Sequence, residues 1–288
     1  MFGAVHDVGT NRLETGSFAM TLKVHRRSTE KGISFTLLTY NVHSCVGTDR
    51  RLDPKRIADV IAQSGADIVA LQEVDVGRKR TGGIDQAELI ASHLKMNAQF
   101  HPALHLEEEK YGDAILTAFP MRLVKAGALP SIGETRGALW VRIDVGGLNV
   151  NVINTHLGLR SHDRRQQVNA LMEPSWMGSE QFQSAPSIFC GDFNAGPRSP
   201  IHATLEGTLR NSHRLAGKGV ARTFPSRLPL LSLDHVFVSD GVDALSSEVI
   251  ANPLARRASD HLPLLASLVV EPKRASSVNL SLEDALDQ

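Results

Sequence analysis

Cysteine is scarce, with only Cys45 and Cys190 in 288 residues. Each lies beside an apolar run, and two thiols cannot build a disulfide framework. Reduced thiols in an intracellular, cytoplasmic setting are the expectation. Aromatic residues make up 5% of the chain, which leaves few platforms for stacking single-stranded or flipped bases. Neither sign of charge prevails, because Lys+Arg and Asp+Glu stand at 31 each. A strong net field drawing in nucleic acid or anionic membrane is therefore not written into the chain, although local basic clusters remain open. No run approaches the roughly 18 apolar residues of a membrane span. The first 32 residues hold no apolar stretch of the signal-peptide kind. Missing too are a Gly-x-x-x-x-Gly-Lys loop, a Gly-x-Ser-x-Gly elbow and cysteines at zinc spacing, so soft-metal and acyl-serine chemistry lack support. No fixed-period repeat, Pro/Gly-rich linker or low-complexity tract divides the chain. One domain over 33–271 is expected, after a disordered extension at 1–32 and before a polar tail at 272–288.

What the chain does have is a set of apolar strands that end in polar residues. Ser187-Ile188-Phe189 runs into Cys190-Gly191-Asp192-Phe193-Asn194, a buried strand delivering a carboxylate and an amide to the lip of a sheet. The run 35–42 ends at Asn41, and the run 67–74 carries Glu73 near its end. Between them, Asp53-Pro54 opens an amphipathic helix closed by Ser64-Gly65. This strand–helix–strand order predicts a βαβ unit with Asn41 and Glu73 at one edge of a parallel pair. Further helices are expected at 85–94, at 162–177 and from Ser199-Pro200, and Gly146-Gly147 reads as a hairpin turn. About nine strands and four helices are best buried as two sheets packed face to face with helices outside.

The recurring polar residues are Asn41, Glu73, His156, Asp192 with Asn194, Asp234, and Asp260 with His261. Singly, each reads as a turn cap or a hydrogen-bonded core histidine; six such coincidences at strand ends do not. Carboxylate and amide oxygens suit Mg²⁺ or Mn²⁺, which act on phosphates. A cation on Glu73 and Asn41, a carboxylate to activate water and an imidazole to polarise a phosphoryl oxygen together describe phosphate-ester hydrolysis.

Thr39-Tyr40-Asn41, Leu71-Gln72-Glu73-Val74, Asn154-Thr155-His156-Leu157, Gly191-Asp192-Phe193-Asn194, Leu233-Asp234-His235-Val236 and Ser259-Asp260-His261-Leu262-Pro263-Leu264 resemble, in order, the motifs of the endonuclease/exonuclease/phosphatase family. The resemblance covers 35–270. It implies a deoxyribonuclease I-like fold, an α/β sandwich of four layers with two packed mixed sheets flanked by helices. It also implies Asn41 and Glu73 as metal ligands with Asp260 beside the metal, and Asp192 and Asn194 positioning water and phosphate. His261, held by Asp234, would contact the phosphate, and His156 would bind it or assist the leaving group. Tyr111-Gly112-Asp113 resembles the family's Tyr-Gly-Asn segment with Asp in place of Asn, which suggests that Asp113 orients His156. Glu134-Thr135-Arg136-Gly137 resembles another family segment, with Arg136 in support of the site or in a plain salt bridge.

Substrate is the less determined part, because loops vary around a fixed centre. Arg78-Lys79-Arg80 and Arg256-Arg257 flank catalytic segments, and Arg160, Arg164 and Arg165 follow His156. Of these, Arg78 and Arg257 are the candidate substrate-binding residues beside Arg136. Such a rim suits a nucleic-acid strand or an anionic head group. The apolar segment 224–231 before Asp234 reads as ordinary packing or as a lip for an acyl chain. The expected protein is a monomeric, Mg²⁺- or Mn²⁺-dependent phosphodiesterase of nuclease type, with no obligate protein partner. The rival readings are a lipid head-group or small-molecule phosphoesterase, and a catalytically inactive phosphate-binding module.

Overall fold

The structure, a computed structural model, describes residues 27–29, 32–106 and 109–271. The strands are β1 (Arg27–Thr29), β2 (Gly32–Asn41), β3 (Ile68–Val76), β4 (Asn97–Leu106), β5 (Glu109–Thr117), β6 (Met121–Leu129) and β7 (Arg136–Val145). They continue as β8 (Leu148–His156), β9 (Ser187–Asp192), β10 (Arg210–Asn211), β11 (Asp234–Val238), β12 (Val242–Val249) and β13 (Leu264–Val270). One sheet runs β12-β13-β2-β3-β5-β4 with β1 added against β2, and the other runs β10-β11-β9-β8-β7-β6. In each sheet the middle pair is parallel, β2 with β3 and β8 with β9, and every other pairing is antiparallel. The C-terminal ends of both parallel pairs carry the polar residues.

Three apolar clusters separate four layers. Inward residues of both sheets, among them Leu37, Ile68, Ala70, Ile115, Val141, Val152, Ile188 and Val236, make the middle cluster. Outside the first sheet, Leu38, Tyr40, Val69 and Leu71 meet the helices Pro54–Ser64, Gln86–Leu94 and Pro253–Ala258. Outside the second, Trp140, Ile153 and Phe189 meet Ser161–Met172, Glu180–Gln183 and Pro200–Leu205. The alternation Leu37/Leu38 or Val152/Ile153 follows from the strand period of two. The first long helix is bounded as its sequence requires. The Asp53 side chain accepts from Arg56 N at 2.9 Å, Pro54 occupies the first turn, and Gly65 closes it at φ +67°.

The pattern differs from the sequence reading in three places. The described residues form thirteen strands and seven α-helices, against nine and four expected. The overlooked β4 and β12 are the outer strands of the first sheet, where half-solvated faces need no regular apolar alternation; Pro102 sits at a bulge in β4. The helix expected over 162–177 ends at Met172 and gives way to turns. Residues 27–29 pair with β2 rather than belonging to a disordered extension; the rest of the expected extension, and the tail from 272, lie outside the described residues.

A fully buried polar tie crosses between the sheets. Gln72 Nε2 of β3 donates to Asn154 Oδ1 of β8 at 2.8 Å, and Asn154 Nδ2 donates back to Leu71 O (2.8 Å) and Ala114 O (3.0 Å). Both side chains are fully buried. Gln72 Nε2 also reaches Thr39 Oγ1 and Ala70 O, so Asn154→Ala removes the side-chain donor of Leu71 O and Ala114 O above all, and the variant is expected to lose about 2 kcal/mol of unfolding free energy. Urea denaturation checks it; a midpoint equal to the parent's contradicts the tie.

Candidate active site

The site is where the inward face of the sandwich changes from apolar to polar. On β2 the inward sequence runs Phe35, Leu37, Thr39, Asn41; on β8, Val150, Val152, Asn154, His156; on β9, Ile188, Cys190, Asp192. On β5 it runs from Ile115 back to Asp113, and on β11 from Val236 back to Asp234. The same period of two that builds the core therefore delivers five functional residues to one end of it. Glu73 would point away after Gln72, but β3 is irregular against β5 between Leu71 and Val74, and Glu73 takes φ +60° there. That bulge turns its carboxylate inward. Gly191 sits at φ +141°, where a Cβ would strike the Thr155 carbonyl, so glycine lets β9 lie close enough to β8 to set His156 beside Asp192.

Asn41 Nδ2 donates to Glu73 Oε1 (2.9 Å) and to Asp192 Oδ2 (3.0 Å), while Asn41 Oδ1 accepts from His43 N at 3.0 Å. Asp192 Oδ1 accepts from Asn194 N at 2.9 Å. His261 Nδ1 meets Asp234 Oδ2 at 2.9 Å, and its Nε2 lies 3.6 Å from Asp192 Oδ2. His156 Nε2 lies 3.4 Å from the same Asp192 oxygen and 3.0 Å from Asn194 Nδ2. One carboxylate oxygen is thus shared by an amide and two imidazoles.

The two histidines differ in charge, His261 cationic and His156 neutral. Burial works against a charged His261, but the charge and hydrogen bond of Asp234, backed by Asp192 and Asp260, outweigh it and push the pKa up to about 10. His156 is buried, and Arg136 and His261 add positive charge beside it, so its pKa falls well below 6.5. Geometry agrees, since Arg136 Nη1 meets His156 Nδ1 at 3.3 Å and the Asn194 amide meets Nε2. Arginine only donates, so His156 Nδ1 accepts, as a neutral ring allows and an imidazolium does not, while Nε2 lies 3.4 Å from Asp192 Oδ2. Burial, with Asp234 nearby, pushes Asp192 up to about 7, and burial pushes Asp113 up to about 8.

Asn41, Glu73, Asp113, His156, Asp192, Asn194, Asp234 and His261 all gather at this end. Asp113 contacts the main-chain N–H of His156, whereas it is Arg136 that meets the imidazole; Arg136 also pairs with Glu134 at 3.0 Å. Asp260 lies at the rim, 3.9 Å from His43 Nδ1. Arg78 is engaged with Glu109 at 3.4 Å, and Arg257 with Asp49 at 2.9 Å, so neither contacts the cluster. The sequence reading assigned nothing to Gln72, Asn154 and Ser259, whose hydroxyl donates to Asn41 O at 2.8 Å. Gln72 and Asn154 were visible as inward positions two residues past Ala70 and Val152; Ser259 had no such signal.

Donor atoms of Asp192, Asp234 and His261 lie within 4.8 Å of one another, and Asp234 Oδ1 is buried without a hydrogen-bond partner among the described residues. Glu73 and Asp192 add oxygens around the Asn41 amide. These buried anionic oxygens fit a hard divalent cation.

Two mixed sheets flanked by helices, with this site at one end, define a deoxyribonuclease I-like fold of the phosphoesterase class. Residues 38–261 match the model of the Endonuclease/Exonuclease/phosphatase family, and the chain belongs to that family. It is 30% identical over 250 residues to the "uncharacterized protein YbhP" of Escherichia coli K12, covering 82% of this chain and 96% of that one. The endonuclease/exonuclease/phosphatase of Beutenbergia cavernae aligns at TM-score 0.67 and 22% identity over 83% of this chain and 72% of that chain. The mannosyl-6-phosphatase of Bacteroides thetaiotaomicron aligns at TM-score 0.67 and 19% identity, over 82% and 99%.

The His261–Asp234 pair carries a stated pH dependence. A pKa raised from 6.5 to about 10 adds stability that is complete below pH 6.5 and fades as pH rises through about 10. Imidazole ¹⁵N shifts should show His261 still cationic at about pH 8 in the parent and neutral there in Asp234→Asn. A neutral His261 in the parent at that pH would remove the assignment.

Proposed function

We propose that the protein is a divalent-metal-dependent phosphodiesterase that attacks phosphorus with water. The observation that carries this reading is the sharing of Asp192 Oδ2 between a cationic His261 and a neutral His156 beside Glu73. Mg²⁺ or Mn²⁺ held by Glu73, with Asn41 and Asp260 flanking, would neutralise phosphate oxygens and the leaving oxygen. Asp192, with its pKa near neutrality and Asn194 beside it, orients water and takes its proton. His261, fixed by Asp234, donates to a phosphoryl oxygen as charge builds there. His156, neutral and steadied by Arg136, contacts the phosphate or the leaving group.

A lipid head-group diester is the substrate reading favoured by one feature. Leu228, Leu230 and Leu231 are 67%, 62% and 51% exposed on the loop that precedes Asp234, and Phe224 of that loop packs 4.8 Å from the His261 ring. A nucleic-acid strand remains the competing substrate.

Hydrolysis of bis-p-nitrophenyl phosphate against p-nitrophenyl phosphate, with Mg²⁺, Mn²⁺ or EDTA, tests the reaction. Diester turnover is expected with either metal, none with EDTA, and about a thousandfold less in Asp192→Asn. Preference for the monoester would overturn the diesterase reading, and silence on both in every metal would favour the inactive phosphate-binding module. Plasmid DNA and phospholipid vesicles then decide the substrate.

A further inference from the structure

The basic run 78–80 divides in an unexpected way. Arg78, mostly buried, is tied to Glu109. Arg80 keeps 51% of its side chain exposed and is nonetheless fixed. Its Nε and Nη2 form a fork on the two oxygens of Asp75 at 2.8 and 2.7 Å, and Nη2 also donates to Ser44 Oγ at 2.9 Å. Asp75 is completely buried and takes a third bond from Thr81 Oγ1 at 3.0 Å. The guanidinium carbon stands 5.4 Å from the centroid of the Tyr111 ring. Main-chain bonds hold the loop itself, Gly83 N to Arg78 O at 2.8 Å and Gly77 N to Ile84 O at 3.0 Å.

Each of these contacts belongs to a segment that carries a site residue. Asp75 lies two positions past Glu73, Ser44 three past Asn41, and Tyr111 two before Asp113. The guanidinium is thereby held on segments that lead to Glu73, Asn41 and Asp113, and the Glu73 charge acts on it. Its Nη1 has no hydrogen-bond partner among the described residues. An arginine locked along one edge, stacked on an aromatic ring and open along the other edge is already ordered to receive an oxyanion, with little entropy left to lose. Arg78 and Arg257, which the sequence alone suggests for this task, are occupied by Glu109 and Asp49.

We propose that Arg80 is a specificity-determining residue whose free Nη1 edge takes a second phosphate of the substrate, next to the phosphate that is cleaved. The inference rests on the phosphodiesterase reading for the place of the scissile group. It defines the substrate as a diester bearing a neighbouring phosphate, as along a nucleic-acid strand or on a multiply phosphorylated head group.

Removing Arg80 alone leaves Asp75 buried and unpaired, which threatens the fold. The informative variants are Arg80→Lys, which keeps the charge and loses the fork, and the double variant Asp75→Asn/Arg80→Gln, which leaves a neutral pair. Thermal melting verifies that both fold. Calorimetry compares thymidine 3′,5′-bisphosphate with thymidine 5′-monophosphate, and inositol 1,4-bisphosphate with inositol 1-phosphate. The parent is expected to prefer a bisphosphate by about tenfold, Arg80→Lys to retain a part of that, and the double variant none. The pair with the larger preference identifies the source of the second phosphate. Turnover of bis-p-nitrophenyl phosphate, which has one phosphate, should stay within about twofold of the parent in the folded double variant. Equal affinities for mono- and bisphosphates in the parent, or a preference that survives in the double variant, would overturn the proposal. A preference lost with Arg80 in a protein that turns over no diester would instead keep the subsite and reject the catalytic reading.

Discussion

The amide bridge from Gln72 to Asn154 is the constraint on which the site depends. Through most of the sandwich the sheets adhere because inward Leu, Ile and Val side chains exclude water from each other. At the functional end that adhesion is not available, since the inward positions are carboxylates, amides and imidazoles. Such groups would admit water and let the sheets part. The bridge lies between the two regimes, one residue before Glu73 on one sheet and two before His156 on the other. It also joins Leu71 and Ala114 of neighbouring strands through Asn154, so β3, β5 and β8 are tied at the level where the bulge begins. The position of Glu73 relative to His156, 3.9 Å apart, is thereby set by this joint together with the Asn41 amide that joins Glu73 to Asp192.

Above that joint, burial and charge are sorted rather than cancelled. Desolvation raises Asp113 and Asp192 and lowers His156, and the carboxylates around it, Asp234 first, make His261 an exception. Burying so many ionisable groups without compensation is costly. A divalent cation near Glu73 and Asp192 would lower the energy of the carboxylates, and a phosphate that of the cationic histidine. Both relieve a field that the fold maintains in their absence. A binding site prepared in this way has small reorganisation left to do when charge develops on phosphorus.

The centre of the molecule was legible in the sequence because strands with a period of two announce both their core and its end. Ile188-Phe189-Cys190 and Val150 to Ile153 each show an apolar face breaking into a polar residue at the expected parity, and the βαβ order placed Asn41 and Glu73 at one edge. The edges of the first sheet were less legible. β4 and β12 have one open side, so Asn97-Ala98-Gln99 and Ser246-Ser247-Glu248 obey no apolar rhythm that distinguishes strand from loop. Partner choice among charges was the least legible. Nothing in Arg78-Lys79-Arg80 states that Arg78 will find Glu109 and Arg80 will find Asp75, because both acids are chosen by folding rather than by spacing. The pairing of Arg136 with His156 is hidden for the same reason, across twenty residues.

Immediately after Asn41, the chain accepts strain that the rest of the fold must offset. His43, Ser44 and Cys45 all take positive φ, at +48°, +50° and +58°, and left-handed non-glycine residues cost on the order of 1 kcal/mol each. Gln86 Nε2 holds the Ser44 carbonyl at 2.7 Å, Arg80 holds its hydroxyl, and Cys45 is buried in the outer apolar cluster. The consequence of the turn is the His43 N–H placed on Asn41 Oδ1. With its oxygen taken, the Asn41 amide has one orientation left, the nitrogen toward Glu73 and Asp192. A relaxed turn would free that side chain to rotate and the two carboxylates to repel one another. The strain is thus the means by which a local backbone conformation fixes the spacing of the acidic groups, and the Gln86 bond to the Ser44 carbonyl, with the burial of Cys45, keeps it in place.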